Sequence, residues 1–326
     1  MSPVLSAYLD VIRLLAAIVV FLSHAGTQAM SGGLLWQFER VAEDAVAVFF
    51  ALSGFVIGYA TDQRDRTATA FATSRIARIY SVAIPAVALT FAADTLGGWL
   101  KPDLYAAFPD MTPAVILAGL FNGLLFTAEI WSRHVWVGSN LPYWSLGFEV
   151  WYYVAFAFLA FAPRPWGGVA AAAVMLCVGP RIAVYFPVWL LGWATWRATR
   201  RFRPGVFASL GLLLASSVGG AVLLASPGPT QSLFAPITLT PAGLASYAHY
   251  YALAGLFCLH VLSMAVLAPH LPAPPPWAMH LVRQLGQQTF ALYLLHRPLL
   301  FLMVAVSPGR SRHGKAGCWC SSSSRC

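Results

Sequence analysis

Charge is what this 326-residue sequence has least of: Asp, Glu, Lys and Arg together make up 10% of it, against about 25% in an ordinary soluble domain. Lysine is nearly missing, with 2 residues beside 18 Arg, and acids stop at Glu149. The first 149 residues hold all 11 acids and 8 of the 20 basic residues; the rest of the chain has 12 basic residues and no acid. The 5 cysteines form no disulfide framework, since Cys177 and Cys258 lie in apolar runs and Cys318, Cys320 and Cys326 in a polar tail. A chain of this length with so little charge cannot cover the surfaces of the two soluble domains it would otherwise make. A soluble enzyme, a disordered chain and a collagen-like fibre are therefore excluded. The arginines are scattered between apolar runs and form no stripe, which argues against nucleic acid as a partner. No metal-ligand cluster, Gly-x-Ser-x-Gly elbow or phosphate-binding glycine loop is present.

What the sequence does have is apolar length. Hydrophobic residues make up 59% and aromatics 14%, and the mean hydropathy is +0.69. Runs long enough to cross a bilayer, which takes about 20 residues, fall at 11–30, 42–61, 80–98, 112–128, 143–162, 205–225, 247–268 and 288–306. Two shorter runs, 166–180 and 183–198, are separated by Gly179-Pro180-Arg181 and read either as two marginal spans or as one broken hairpin. The expected fold is an all-α transmembrane bundle of about ten spans over residues 1–306, with no soluble domain. Residues 307–326 are polar and low in complexity, which predicts a disordered tail. The first run reads as a retained span and not as a cleaved leader, because polar side chains interrupt it. No internal repeat is visible, which weakens a transporter built on inverted repeats.

Orientation rests on basic residues. The connection carrying Asp62, Arg64, Asp65, Arg66, Arg75 and Arg78 is the longest polar one in the first half, and its arginines place it, with the N-terminus, in the cytoplasm. The later cluster of Arg197, Arg200, Arg201 and Arg203 conflicts with this: ten alternating spans put it on the other side.

Ionisable residues inside apolar spans are costly and mark functional candidates. Arg13 and His24 are 11 residues apart, which puts them on one helix face about 16 Å apart, with Asp10 one turn before Arg13. His24 as a general base with Arg13 as an anchor is one reading; a snorkelling arginine and a core histidine is the other. Arg75 and Arg78 form Arg-x-x-Arg on one face, suited either to the phosphates of a nucleotide-bearing molecule or to plain anchoring at the cytoplasmic face. Glu149 follows Ser145 by four residues and precedes Tyr152 and Tyr153 by three and four, which lines these groups along one face. In the second span Ser53 adjoins Gly54, and Gly54 with Gly58 permits close helix packing. Thr289, Tyr293 and His296 share a face in the last span, where His296 either lines a polar cavity or sits in the core.

Five segments then combine into a pattern: YLDVIRLLAAIVVFLSHAG, FFALSGFVI, SRIARIY, PYWSLGFEVWYY and LGQQTFALYLLHRPLL, in this order from residue 8 to about 300. Together they resemble the acyltransferase-3 family of bacterial membrane O-acyltransferases. The resemblance implies transfer of an acyl group, commonly acetyl, from cytoplasmic acyl-CoA to a hydroxyl of a cell-surface or exported glycan. It implies His24 as the catalytic histidine, Arg13 as its companion, Arg75 and Arg78 at the donor, and Glu149 in the polar centre. Asp10, Ser53, Ser145, Tyr152, Tyr293 and His296 are the expected cavity lining. Acyl-CoA enters as a co-substrate, with no tightly bound cofactor and no metal. The chain departs from the family at Ala47, a position often occupied by Asp, with Asp44 one turn earlier. A transporter or flippase for a lipid-linked glycan, using the same intramembrane cavity, is the alternative; a non-catalytic assembly protein ranks below it.

Overall fold

The computed structural model describes residues 1–307 apart from Trp136, Arg203, Thr230 and Phe234; the tail read as disordered lies outside the described residues except for Ser307. No strand occurs among the described residues, and ten helices of 12 residues or more carry the fold. They are α1 (Pro3–Gly26), α2 (Ala42–Gln63), α3 (Ala68–Leu100), α4 (Pro113–Leu124), α5 (Trp144–Phe161), α6 (Trp166–Val178), α7 (Phe186–Arg201), α8 (Val206–Ala225), α9 (Pro241–Leu267) and α10 (Pro276–Val306). Their starts are written in the sequence. The side chains of Ser2, Thr67, Thr112 and Thr240 accept the backbone N–H three residues on, and proline follows directly at Pro3, Pro113 and Pro241, where its missing N–H is harmless.

Seven of the ten are long and apolar enough to cross a membrane: α1, α2, α3, α5, α8, α9 and α10. The expected membrane bundle is thus present, and among the described residues seven of the about ten expected spans are helices of full crossing length, α4, α6 and α7 being shorter. Helix α4 has 12 residues and α6 has 13, about 18–20 Å at 1.5 Å per residue. The run at 112–128 stops early because the chain leaves the helix at Leu125 and Phe126, the latter at φ 57°. At 166–198 the chain breaks at Gly179 into α6 and the 16-residue α7.

Helix α2 is the hub. Its apolar window is 67% buried, whereas that of α8, on the outside, is 11% buried. Helix α2 packs on α1, α7 and α9, while α10 packs on α1 and α3. The contact between α2 and α7 is made by backbone on backbone. A Cβ on Gly54 would stand 1.9 Å from the Trp189 carbonyl oxygen, and one on Gly192 would stand 1.8 Å from that of Ala51. The close packing expected of Gly54 is therefore present.

The same pairing removes the conflict over basic residues. Arg200 at the end of α7 forms an ion pair with Asp62 at the end of α2, 2.6 Å apart, and Trp196 Nε1 donates to the same carboxylate at 2.8 Å. Helices α2 and α7 run parallel, so their basic ends lie together at one end of the bundle, and the two clusters agree.

Candidate active site

A cavity of about 750 Å³, counting its mouth, opens among α1, α2, α3, α5 and α10. Arg13, Ser53, Arg75, Arg78, Ser145, Glu149 and Tyr293 all line it. The rest of the wall is largely aromatic and aliphatic, including Phe49, Phe50 and Phe290, with Tyr153 and Thr289 as further polar groups. Three guanidinium groups against one carboxylate leave the lining cationic.

Each charged group is held differently. Glu149 accepts from the Ser53 hydroxyl and from Tyr153 Oη at 2.6 Å, and Trp189 Nε1 donates to Ser53 Oγ at 3.2 Å. The carboxylate is thereby fixed by α2, α5 and α7 at once. Arg13 pairs with Asp10 at 3.4 Å, so Asp10 supports the cavity without lining it. Arg75 pairs with Asp65 at 3.1 Å and lies over the Phe71 and Tyr153 rings at 5.9 Å each. Arg78 has no ion-pair partner among the described residues and stands within electrostatic reach of Asp10 and Arg13. It is the guanidinium free to meet an incoming anion.

Tyr152 does not line the cavity. It is fully buried and donates to the Ile182 carbonyl oxygen at 2.9 Å, and its neighbour Tyr153 takes the inward place. Asp44 does not stand in at the Ala47 position: it is buried and hydrogen bonded to His249 at 2.7 Å, on α9.

His24 and His296 are not in the cavity wall either. They form a second polar group further along α1 and α10, with ring centroids 5.2 Å apart. The two regions are joined by Tyr293, which lines the cavity, bonds to Ser145 Oγ at 2.7 Å, and packs against the His296 ring at 6.3 Å. Around the histidines lie residues that sequence reasoning left aside. Arg297 donates to the Ser139 carbonyl oxygen and lies over the Phe301 and Phe108 rings at 5.2 and 5.6 Å. Asp94 accepts from both the backbone N–H and the hydroxyl of Ser139, at 2.6 Å each. Gly138, at φ 53°, lets this loop reach Asp94; a Cβ there would meet the carboxylate at 2.2 Å. Asp94 was open to detection, being an acid inside an apolar run. The loop, with no periodic pattern, was not. Among the described residues no group of His, Cys, Asp and Glu is arranged to hold a metal ion.

The fold and site thus define a polytopic membrane protein with a cationic intramembrane cavity next to a histidine pair. A family model described as an acyltransferase domain matches residues 6–313, and the chain belongs to that family, acyltransferase-3. It is similar to an O-acetyl transferase of Shigella phage Sf6, 31% identical over 150 residues that cover 44% of this chain and 43% of that protein. It is also similar to acyltransferase MdmB of Streptomyces mycarofaciens, 30% identical over 190 residues that cover 54% of this chain and 46% of that protein. The match covers less than half of either relative's length. No solved structure matches significantly.

Proposed function

We propose that the protein is an integral-membrane O-acyltransferase that moves an acyl group, acetyl in the simplest case, from acyl-CoA to a hydroxyl of a cell-surface or exported glycan. The observation that carries this reading is the cavity, where Arg13, Arg75 and Arg78 face a single carboxylate within an apolar, aromatic wall. Coenzyme A is a polyanion joined to an apolar acyl thioester, and guanidinium groups suit its phosphates. Family membership and a relative named as an O-acetyl transferase support the reaction class. The reading needs no metal or tightly bound cofactor, because acyl-CoA is itself a substrate.

In this mechanism Arg75 and Arg78 hold the phosphates and the acyl end points along the cavity toward Tyr293. A sugar hydroxyl is a weak nucleophile near neutral pH and must lose its proton as it attacks the thioester carbonyl. His24 takes that proton. A carbon–oxygen bond forms, the carbon–sulfur bond breaks, and the proton passes to the departing CoA sulfur. Arg297, within electrostatic reach of His24, opposes the negative charge that develops on the carbonyl oxygen, while Arg13, about 16 Å along α1, acts with Arg75 and Arg78 at the donor end of the cavity. The positive-inside rule puts the Arg75–Arg78 end in the cytoplasm of a bacterial inner membrane, with the N-terminus on that side.

The test is transfer itself. Purified protein in liposomes, given acetyl-CoA labelled in the acetyl group and a glycan acceptor, is expected to label the acceptor. Flux of an unmodified solute without acyl-CoA, together with no label transfer, would establish the transporter reading instead. Surface glycans compared by mass between a deletion strain and its complement identify the acyl group and the acceptor.

A further inference from the structure

His296 carries an unmatched atom. Its side chain is 3% exposed, and Nδ1 lies 3.0 Å from the Leu292 carbonyl oxygen one turn earlier. A carbonyl oxygen only accepts, so Nδ1 bears the proton and Nε2 is left as a lone pair. That Nε2 is buried and has no hydrogen-bond partner. Buried polar atoms are nearly always matched, and the exceptions point to a ligand, a strain or a catalytic role.

Three rings surround it: His24 at 5.2 Å and 31° between planes, Phe21 at 6.0 Å, edge-on, and Tyr293 at 6.3 Å. Phe21 has no donor, and the Tyr293 hydroxyl is engaged with Ser145. His24 remains. Two imidazoles joined edge to edge by an N–H···N bond of about 2.9 Å have centroids roughly 5 Å apart, which is the spacing found. The charged groups facing the pair from the packed helices are Arg297 on α10 and, through Ser139, Asp94 on α3.

We infer that His296 is a positioning residue for His24: its Nε2 accepts one ring N–H of His24, which fixes the tautomer and leaves the other His24 nitrogen as the free base. The inference rests on the reading of His24 as the base. A turn of the His24 ring, the less buried of the two, closes the bond. During transfer the acceptor hydroxyl gives its proton to the free nitrogen of His24, the other His24 N–H stays hydrogen bonded to His296 Nε2, and the transferred proton leaves to the CoA sulfur as the carbon–sulfur bond breaks. His296 itself gains and loses nothing. Its task is the one an orienting group performs for a catalytic histidine elsewhere.

The experiment uses the full chain in liposomes with acetyl-CoA and the glycan acceptor. His296→Ala is expected to lower kcat by 10- to 100-fold at unchanged KM for acetyl-CoA, and to displace the acid limb of the kcat–pH profile. His296→Gln, whose amide oxygen accepts the same N–H, is expected to recover at least tenfold of the loss. A kcat for His296→Ala within twofold of the parent, or equal losses in both variants with an unmoved acid limb, overturns the inference. Nitrogen-15 NMR of histidine-labelled parent protein serves if the alanine variant does not accumulate: a single His24 tautomer is expected, and an even mixture of the two overturns it. His24→Ala separates the layers. Turnover in that variant removes the base assignment, whereas a dead His24→Ala beside a fully active His296→Ala removes only the positioning role.

Discussion

Asn140 donates its side-chain amide to the Leu294 carbonyl oxygen, 2.8 Å away, and Leu294 stands four residues before Pro298 inside α10. Proline has no N–H, so this carbonyl has lost its helical partner, and the amide replaces it. The 137–140 loop is thereby pinned to the turn of α10 that presents His296 and Arg297. Asn140→Ala leaves a buried carbonyl unpaired, which costs about 1–3 kcal/mol. A lowered melting temperature in detergent is expected for this variant, and also for Asn140→Asp, which removes the donor. An unchanged melting curve contradicts the role.

Gly54 sets the spacing of α2 against α7. Since the clash it avoids is with the Trp189 backbone at 1.9 Å, the helices must part to admit a methyl group. Gly54→Ala is expected to cost about 1–3 kcal/mol or more, seen as lower accumulation and earlier thermal unfolding. Gly220→Ala on α8, with no atom within 4 Å, is the control and is expected to hold or gain about 1 kcal/mol from helix propensity. Equal behaviour of the two variants contradicts the packing account.

Arg75 and Arg78 differ in what they are tied to, so their variants differ in kind. Arg78, with no ion pair among the described residues, is expected to affect the donor alone: Arg78→Ala raises KM for acyl-CoA by tenfold or more, the equivalent of about 1.5–3 kcal/mol for a charged hydrogen bond, with an unchanged melting temperature. Arg75→Ala also strands the buried Asp65, and both KM and stability are expected to worsen. Donor dependence that is the same in parent and both variants removes the pair from the donor site.

The ion pair of Arg200 with Asp62 holds both basic clusters at one end of the bundle. Single cysteines placed at Arg66 and Arg201, in a chain whose own cysteines have been replaced, are expected to react with an impermeant thiol reagent from the same side, the cytoplasmic one. Labelling from opposite sides contradicts the topology.

The sequence makes the cavity legible because lipid makes polar residues conspicuous. Arg13, Ser53, Glu149 and the Arg75–Arg78 pair stand out in apolar runs for an energetic reason, and the structure brings them to one lining. Helical spacing puts Arg13 and His24 on one face, but it says nothing of what lies opposite each. Across from Arg13 is the open cavity; across from His24 is His296. Tyr152 and Tyr153 are adjacent, and only packing chooses which turns inward. Composition does not show where the 112–128 run leaves its helix at Phe126, whereas the break at Gly179 is marked in the sequence by Gly179-Pro180-Arg181. The loop at Ser139 and Asn140 has no period to read, and its function as a clasp depends on contacts with Asp94 and Leu294 that lie far away in the chain.

The central claim is that one imidazole on α1 performs the proton transfer. Acetyl transfer from acetyl-CoA to the glycan acceptor, measured in liposomes with His24→Ala at normal membrane abundance, tests it most directly. Loss of transfer by three orders of magnitude or more, with acetyl-CoA still bound through the arginine-lined cavity, is the result expected of a missing general base, roughly the upper end of its usual contribution. Transfer at close to the parent rate would contradict it.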